Sequence, residues 1–141
     1  MVYQKKLKKA VLEHHENIDG SGYPLGIKDG KICKMAKILT IVDVYDALVT
    51  ERPYKKAKSP ADALEILMGM SNKFDLDILK VFINCVILYT IGSTIRLSNG
   101  ALCVVLKNNE NYPLRPVCQN IFTGEKYDLL NDRNCLSIVI V

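Results

Sequence analysis

His14 and His15 are the only two histidines of the chain, and they stand side by side just before a glycine-rich run from Asn17 to Gly26. Imidazole nitrogens ligate metals and titrate near neutral pH, so the pair suits metal binding or proton transfer. On an α-helix adjacent residues point about 100° apart, so the two cannot chelate one ion as an i, i+4 pair would. The spacing allows ligation of two ions in a multinuclear centre, or one ligand beside one phosphate-orienting group. It equally allows two surface histidines at a helix end, where the dipole favours them. Asp43 and Asp46 fall in the apolar run from Ile38 to Val49. Asp43 sits among Ile41, Val42 and Val44, where a carboxylate is costly unless paired or bound to metal. Asp46 reads as a solvent-facing group or a helix–helix hydrogen bond. Arg52, Lys55, Lys56 and Lys58 follow directly. A planar guanidinium fork with ammonium point charges suits phosphate, and a solvated basic loop is the plainer reading. Two imidazoles, a semi-buried carboxylate and a basic loop together point to metal-assisted phosphoester chemistry.

Helices must hold these groups. Residues 3–17 have helical period, with Leu7 and Val11 on one face together with His14 or His15. The run 17–26, with Gly20, Gly22, Gly26 and Pro24, cannot continue that helix and predicts an ordered loop. Residues 34–50 return to helical period, with Ile38, Ile41, Val42, Tyr45 and Leu48 or Val49 inward, and Arg52-Pro53 ends the helix. Ser59-Pro60-Ala61-Asp62 is a helix start with a capping serine and proline at the first helical position. That helix runs to about Ser71 with Ala63, Leu64, Leu67 and Met68 inward. Another starts at Asp75 and runs to about Leu88, apolar on more than one face, which predicts packing partners on several sides.

From Thr90 the pattern changes to period two. Asn99-Gly100 predicts a type I′ hairpin turn between strands at 93–97 and 102–106. Further strands are expected at 115–122, 126–130 and 136–140, with a turn at Thr123-Gly124. The expected fold class is α+β: a helical bundle over 1–89, then a small all-β module, a barrel or a curled sheet, over 90–141.

Composition bounds the rest. The chain has 141 residues, 49% hydrophobic and 24% charged, an ordinary globular balance that excludes wholesale disorder. No apolar run reaches the roughly 20 residues a membrane span needs. The start lacks the apolar core of an export signal, and five widely spaced cysteines without a C-x-x-C predict reduced, mostly buried thiols in a cytoplasmic protein. Residues 1–58 carry 12 Lys/Arg against 7 Asp/Glu, net +5, so an anionic ligand fits the first segment. Nucleic-acid binding is disfavoured, because Tyr112, Phe122 and Tyr127 are too scattered for a stacking row.

Two blocks resemble a known family. His14-His15-Glu16 followed by Asp19-Gly20-Ser21-Gly22-Tyr23-Pro24 resembles the His-His-Glu…Asp-Gly-x-Gly-Tyr-Pro signature of HD-GYP domains. Asp43-Val44-Tyr45-Asp46-Ala47-Leu48 and Arg52-Pro53-Tyr54-Lys55 are similar to the family's second element, 29 residues beyond His14. The likeness covers about residues 1–88; the tail more loosely resembles a C-terminal extension of some such proteins. It implies an all-α, metal-dependent phosphohydrolase that opens cyclic di-GMP to linear pGpG or GMP. It implies metal ligation by His14, His15 and Asp43 in a two- or three-metal centre of iron or manganese, and substrate-phosphate contacts from Arg52 and Lys55. Asp19, Gly20, Gly22, Tyr23 and Pro24 would form a loop that shapes the site and docks diguanylate cyclase domains.

The resemblance also implies residues that do not occur here. The family's His-Asp pair, a nearby lysine, an upstream glutamate and a further histidine precede the His-His pair, where this chain has 13 residues and no other histidine. Only the C-terminal half of the domain is then represented, and this chain alone is expected to be catalytically inactive: a shortened piece, a gene fragment or one part of a split protein. Apolar faces that the other helices would cover predict a homo-oligomer. The competing reading is a non-catalytic signalling module that binds a protein partner through the Gly-Tyr-Pro loop and the β part.

Overall fold

The computed structural model describes residues 2–141. The chain divides into two compact units, Met1–Phe82 and Ile83–Val141. The helices are α1 (Val2–Glu13), α2 (Lys34–Val49), α3 (Pro60–Gly69) and α4 (Leu76–Cys85). The strands are β1 (Thr94–Arg96), β2 (Leu102–Lys107), β3 (Val117–Asn120) and β4 (Lys126–Asp128). The fold class is α+β, as the periodicities predict.

In the first unit α2 packs against α1 and α3. Its core is built from Ala10 of α1, Ala36 and Ile41 of α2, and Leu64 and Leu67 of α3, all essentially closed to solvent. α3 begins as its sequence dictates: Ser59 Oγ accepts the N–H of Asp62 at 3.1 Å, with proline in the first turn. α4 begins the same way, with Asp75 Oδ1 accepting the N–H groups of Asp77 and Ile78 at 3.2 Å each. A salt-bridged cluster ties the connections together. Lys37 Nζ of α2 pairs with Asp29 and, at 3.2 Å, with Asp75. Nearby, the N–H of Ile18 donates to the carbonyl of Lys73 at 3.1 Å.

Several inward assignments are corrected. α1 ends at Glu13, a turn earlier than expected, because the N–H of Glu16 closes an i→i+3 bond on Glu13 and the Glu16 carboxylate is drawn to the following loop. Leu7, Val11, Ile38 and Val42 are exposed rather than core, since α1 and α2 meet through Ala10, Ala36 and Thr40 on neighbouring faces. Met68 is exposed as well, and α4 buries Leu79 and Ile83 while exposing Leu76 and Val81, so it is covered on one side only.

The second unit is an open, four-stranded antiparallel sheet in the order β1-β2-β3-β4. Ile95, Cys103, Val105, Cys118 and Tyr127 fall on one face and form its core with Leu97, Leu129 and Cys135. The β1–β2 connection is not a type I′ turn. Gly100 has φ +87° and Asn99 has no positive φ, while Gly100 N–H and Ala101 C=O close on Leu97, the three-residue loop with a glycine bulge. β4 stops at Asp128, whose Oδ1 caps the N–H groups of Leu130 and Asn131. The expected fifth strand at 136–140 is a single bridge, Leu97 with Ile140, because the turn Arg133–Cys135 continues helically through Leu136 and leaves too few residues to pair. All five cysteines are free thiols; Cys103, Cys118 and Cys135 are buried, and Cys85 is exposed, contrary to its apolar neighbourhood in sequence.

Candidate metal centre

The centre is assembled where α1 ends and α2 passes beneath it. One ring nitrogen each of His14 and His15 and a carboxylate oxygen of Asp43 all lie within 4.8 Å of one another. The two histidines follow the last helical residue, so the helical divergence of adjacent side chains does not apply to them. Their ring centroids are 3.8 Å apart with the planes inclined by 39°. A single small volume thus receives both imidazoles and the acid.

Each donor has a reason to be there. His14 Nδ1 lies 2.6 Å from the carbonyl oxygen of Val11. A carbonyl only accepts, so Nδ1 carries the proton and the Nε2 lone pair is left for ligation, the usual tautomer logic of metal-binding histidines. Thr40 Oγ1 of α2 lies 2.7 Å from the carbonyl oxygen of His14 and 2.8 Å from that of Ala36. Glu13, only 3% exposed, accepts the N–H of Cys33 at the start of α2 with its carboxylate, at 2.8 Å. These two links set the register of α2 against the end of α1, and Asp43 lies one turn beyond Thr40.

The glycine-rich loop is fastened to the same turn. Glu16, 2% exposed, accepts the N–H groups of Leu25 at 2.6 Å, Gly26 at 3.2 Å and Ile27 at 3.1 Å. A carboxylate holding three backbone donors is a strong anchor, because charge-assisted bonds exceed neutral ones. Gly22 is required by space: a Cβ there would fall 2.4 Å from the His15 carbonyl oxygen and 2.5 Å from Asn17 N and Glu16 Cα. Tyr23 donates its N–H to the His15 carbonyl at 3.2 Å and stacks on the His15 ring at 4.8 Å. The Tyr23–Pro24 peptide is cis. Asp19 serves the turn itself. Its Oδ1 accepts Ser21 Oγ–H and N–H, and these bonds hold its carboxyl below the ordinary range. Gly20 has φ +84°, which glycine adopts without strain.

An open concavity of about 360 Å³ lies on this face, lined by Val11, His14, Leu39, Val42, Asp43 and Asp46. Asp43 is exposed to it and not semi-buried as its apolar neighbours suggested, because Leu39 and Val42 are themselves open on that side. Asp46 adds a second carboxylate and accepts Thr50 Oγ1–H at 3.2 Å. Arg52 and Lys55 are exposed and are not part of its lining; they close a tight turn through paired backbone bonds of 3.0 and 2.9 Å. Lys55 Nζ reaches the Ala47 carbonyl near the end of α2 at 3.4 Å. Sequence reasoning assigned no role to Glu13, Glu16 or Thr40. The one available signal was Glu16 itself, an acid directly after two histidines.

Two imidazole nitrogens and one carboxylate oxygen form a donor set that suits iron or manganese, and the second-sphere hydrogen bond on His14 is of the kind that accompanies ligation. The HD domain family model matches residues 1–78. The chain is 37% identical over 113 residues to cyclic di-GMP phosphodiesterase PA4108 of Pseudomonas aeruginosa, covering 80% of this chain and 27% of that protein. It is 26% identical over 130 residues to cyclic di-GMP phosphodiesterase PdeB of Borreliella burgdorferi, covering 92% of this chain and 34% of that protein. It is 43% identical over 63 residues to 3'3'-cGAMP-specific phosphodiesterase 3 of Vibrio cholerae, covering 45% and 14% respectively. The chain spans about a quarter to a third of the length of the first two relatives. From the ordered His-His-Glu, Gly-Tyr-Pro and Asp-Val-Tyr-Asp blocks, the converging donors and these matches, the chain belongs to the HD domain family, in its HD-GYP group.

Proposed function

We propose that this chain contributes the metal-binding and phosphate-binding half of a phosphodiesterase that hydrolyses cyclic di-GMP to pGpG or GMP. The observation that supports it most is the convergence of His14, His15 and Asp43 within 4.8 Å, the residues that the family likeness singles out as ligands. In this reading residues 1–89 belong to the catalytic domain and 90–141 form a separate module. A bound iron or manganese ion supplies Lewis acidity toward a phosphoryl oxygen and lowers the pKa of water. His14 and Asp43, which line the concavity, would hold the ion together with His15, with Nδ1–H of His14 fixed on Val11. Arg52 offers two parallel donors to a substrate phosphate, and Lys55 adds a point charge.

Three protein donors fall short of the roughly six to eight that a two-metal centre would want, so the 141-residue chain is expected to bind metal while turning over cyclic di-GMP at or near background. Calorimetric titration with Mn²⁺ tests the ligand assignment: His14→Ala and Asp43→Ala should each weaken binding by more than about tenfold, since outer-sphere losses alone reach that size. Wild-type affinity in both variants removes the metal-centre reading. Because relatives differ in named substrate, 3'3'-cGAMP belongs beside cyclic di-GMP in the binding assay. The second reading is a non-catalytic module, favoured by the exposure of Tyr23 and Leu25 on a firmly anchored loop. Binding of a diguanylate cyclase domain by a chain that takes neither metal nor dinucleotide would select it.

A further inference from the structure

The two histidines are held very differently. His14 has its ring nitrogen tied to a carbonyl. Among the described residues no hydrogen bond reaches the His15 ring; its contacts are the rings of His14 and Tyr23. An imidazole on two rotatable bonds needs some second contact to fix where its lone pair points. Tyr23 supplies a flat one, 4.8 Å between centroids with the planes inclined by 26°. Offset stacking of this kind has a preferred geometry and is worth more than the area it covers.

Tyr23 is itself set from both sides. On the N-terminal side Gly22 lies so close to the backbone of residues 15–17 that no side chain fits. On the C-terminal side the buried Glu16 carboxylate takes three successive N–H groups of residues 25–27. The Tyr23 N–H bonds to the carbonyl of the residue its ring covers. Its hydroxyl makes no described hydrogen bond and the side chain is 62% exposed, so one ring face does the holding.

We propose that Tyr23 is a positioning residue for His15 and that Glu16 is the latch that keeps Tyr23 in place. The stacked pair aims the His15 nitrogen at the point shared with His14 and Asp43. The proposal rests on the metal-centre reading above. Its test compares wild type with Tyr23→Ala, Tyr23→Phe, Glu16→Gln and His15→Ala in Mn²⁺ calorimetry, together with NMR of the His15 ring in the metal-free chain.

Tyr23→Ala should weaken Mn²⁺ binding about tenfold, the scale of other outer-sphere losses. Tyr23→Phe, which keeps the ring, should stay within about twofold of wild type, and Glu16→Gln should move in the direction of Tyr23→Ala. Without metal, the His15 ring signals of Tyr23→Ala should shift and its side-chain couplings should average over rotamers, while those of Tyr23→Phe keep wild-type couplings. Tyr23 is a surface side chain, so its variants keep the fold and the proposal testable even where Glu16→Gln lowers stability. Wild-type Mn²⁺ affinity in Tyr23→Ala with weakened binding in His15→Ala overturns the proposal and leaves the metal centre standing. Equal losses in Tyr23→Phe and Tyr23→Ala overturn it by assigning the effect to the hydroxyl. Wild-type affinity in His15→Ala overturns both.

Discussion

His14 and Asp43 meet because two buried acids and one hydroxyl fix the backbone around them. Three loop N–H groups sit on the Glu16 carboxylate, and Glu13 accepts the Cys33 N–H beside a 3.6 Å ion pair with Lys9. Gly22 shows how little tolerance this leaves. Gly22→Ala should cost about 1–3 kcal/mol through overpacking against backbone that cannot yield, read as a lower denaturation midpoint. Gly30 is the control: no atom lies within 4 Å of a Cβ built there and its φ is not positive, so Gly30→Ala should leave the midpoint unchanged or slightly higher. The histidines and Asp43 were legible as candidate donors from their types and order. Their convergence was legible only through the family resemblance, because periodicity by itself continued α1 through residue 17 and so turned the two rings apart.

Among the elements, the starts of α3 and α4 were legible, since a cap depends on residues within a few positions of it. The Lys37 clamp was not, because Asp75 lies 38 residues away and meets Lys37 only in the folded chain. The Asp29 carboxylate raises the Lys37 pKa above 10.5, against burial and with help from Asp75. Burial pushes Asp75 up, but the Ile78 N–H and Lys37 outweigh it and hold its pKa below 3.8. A depressed folded pKa gives stability that is present above about pH 4 and lost as pH falls through the folded value. The raised Lys37 value gives stability present below pH 10.5 and lost as pH rises beyond the folded value. Urea midpoints followed from pH 6 down to pH 3 should therefore fall, and Lys37→Met should show a shallower fall across the Asp75 titration. Parallel profiles for the two chains would exclude the clamp as a source of acid sensitivity.

At the scale of the whole molecule, α1 exposes Tyr3, Leu7 and Val11, and α2 exposes Ile38, Leu39 and Val42. Clusters of large apolar side chains left open in this way favour association. We expect the purified 141-residue chain to self-associate, and light scattering coupled to gel filtration should give a mass above that of one 15.8 kDa chain. A monomer at all loading concentrations would contradict this. No helix of the described residues is long and apolar enough to cross a membrane. In the second unit, burial pushes the Cys118 thiol up to about 12, with the neighbouring Cys103 and Cys135 adding to it, so these sulfurs act as small core residues.

Chemistry by type, chain order and local punctuation was set by the sequence itself. The candidate donors, the loop glycines, the serine cap and the change from helical to alternating period all depend on near neighbours, and near neighbours are what a linear string displays. Tertiary structure decided where those groups point. The fastening of α2 to the end of α1 through Glu13 and Thr40, the meeting of Asp43 with the histidines and the Lys37–Asp75 pair each follow from bonds or packing between distant segments. Such bonds form only after the chain has folded back on itself, because a buried carboxylate or a zero-clearance glycine acquires its partner through space and not through spacing.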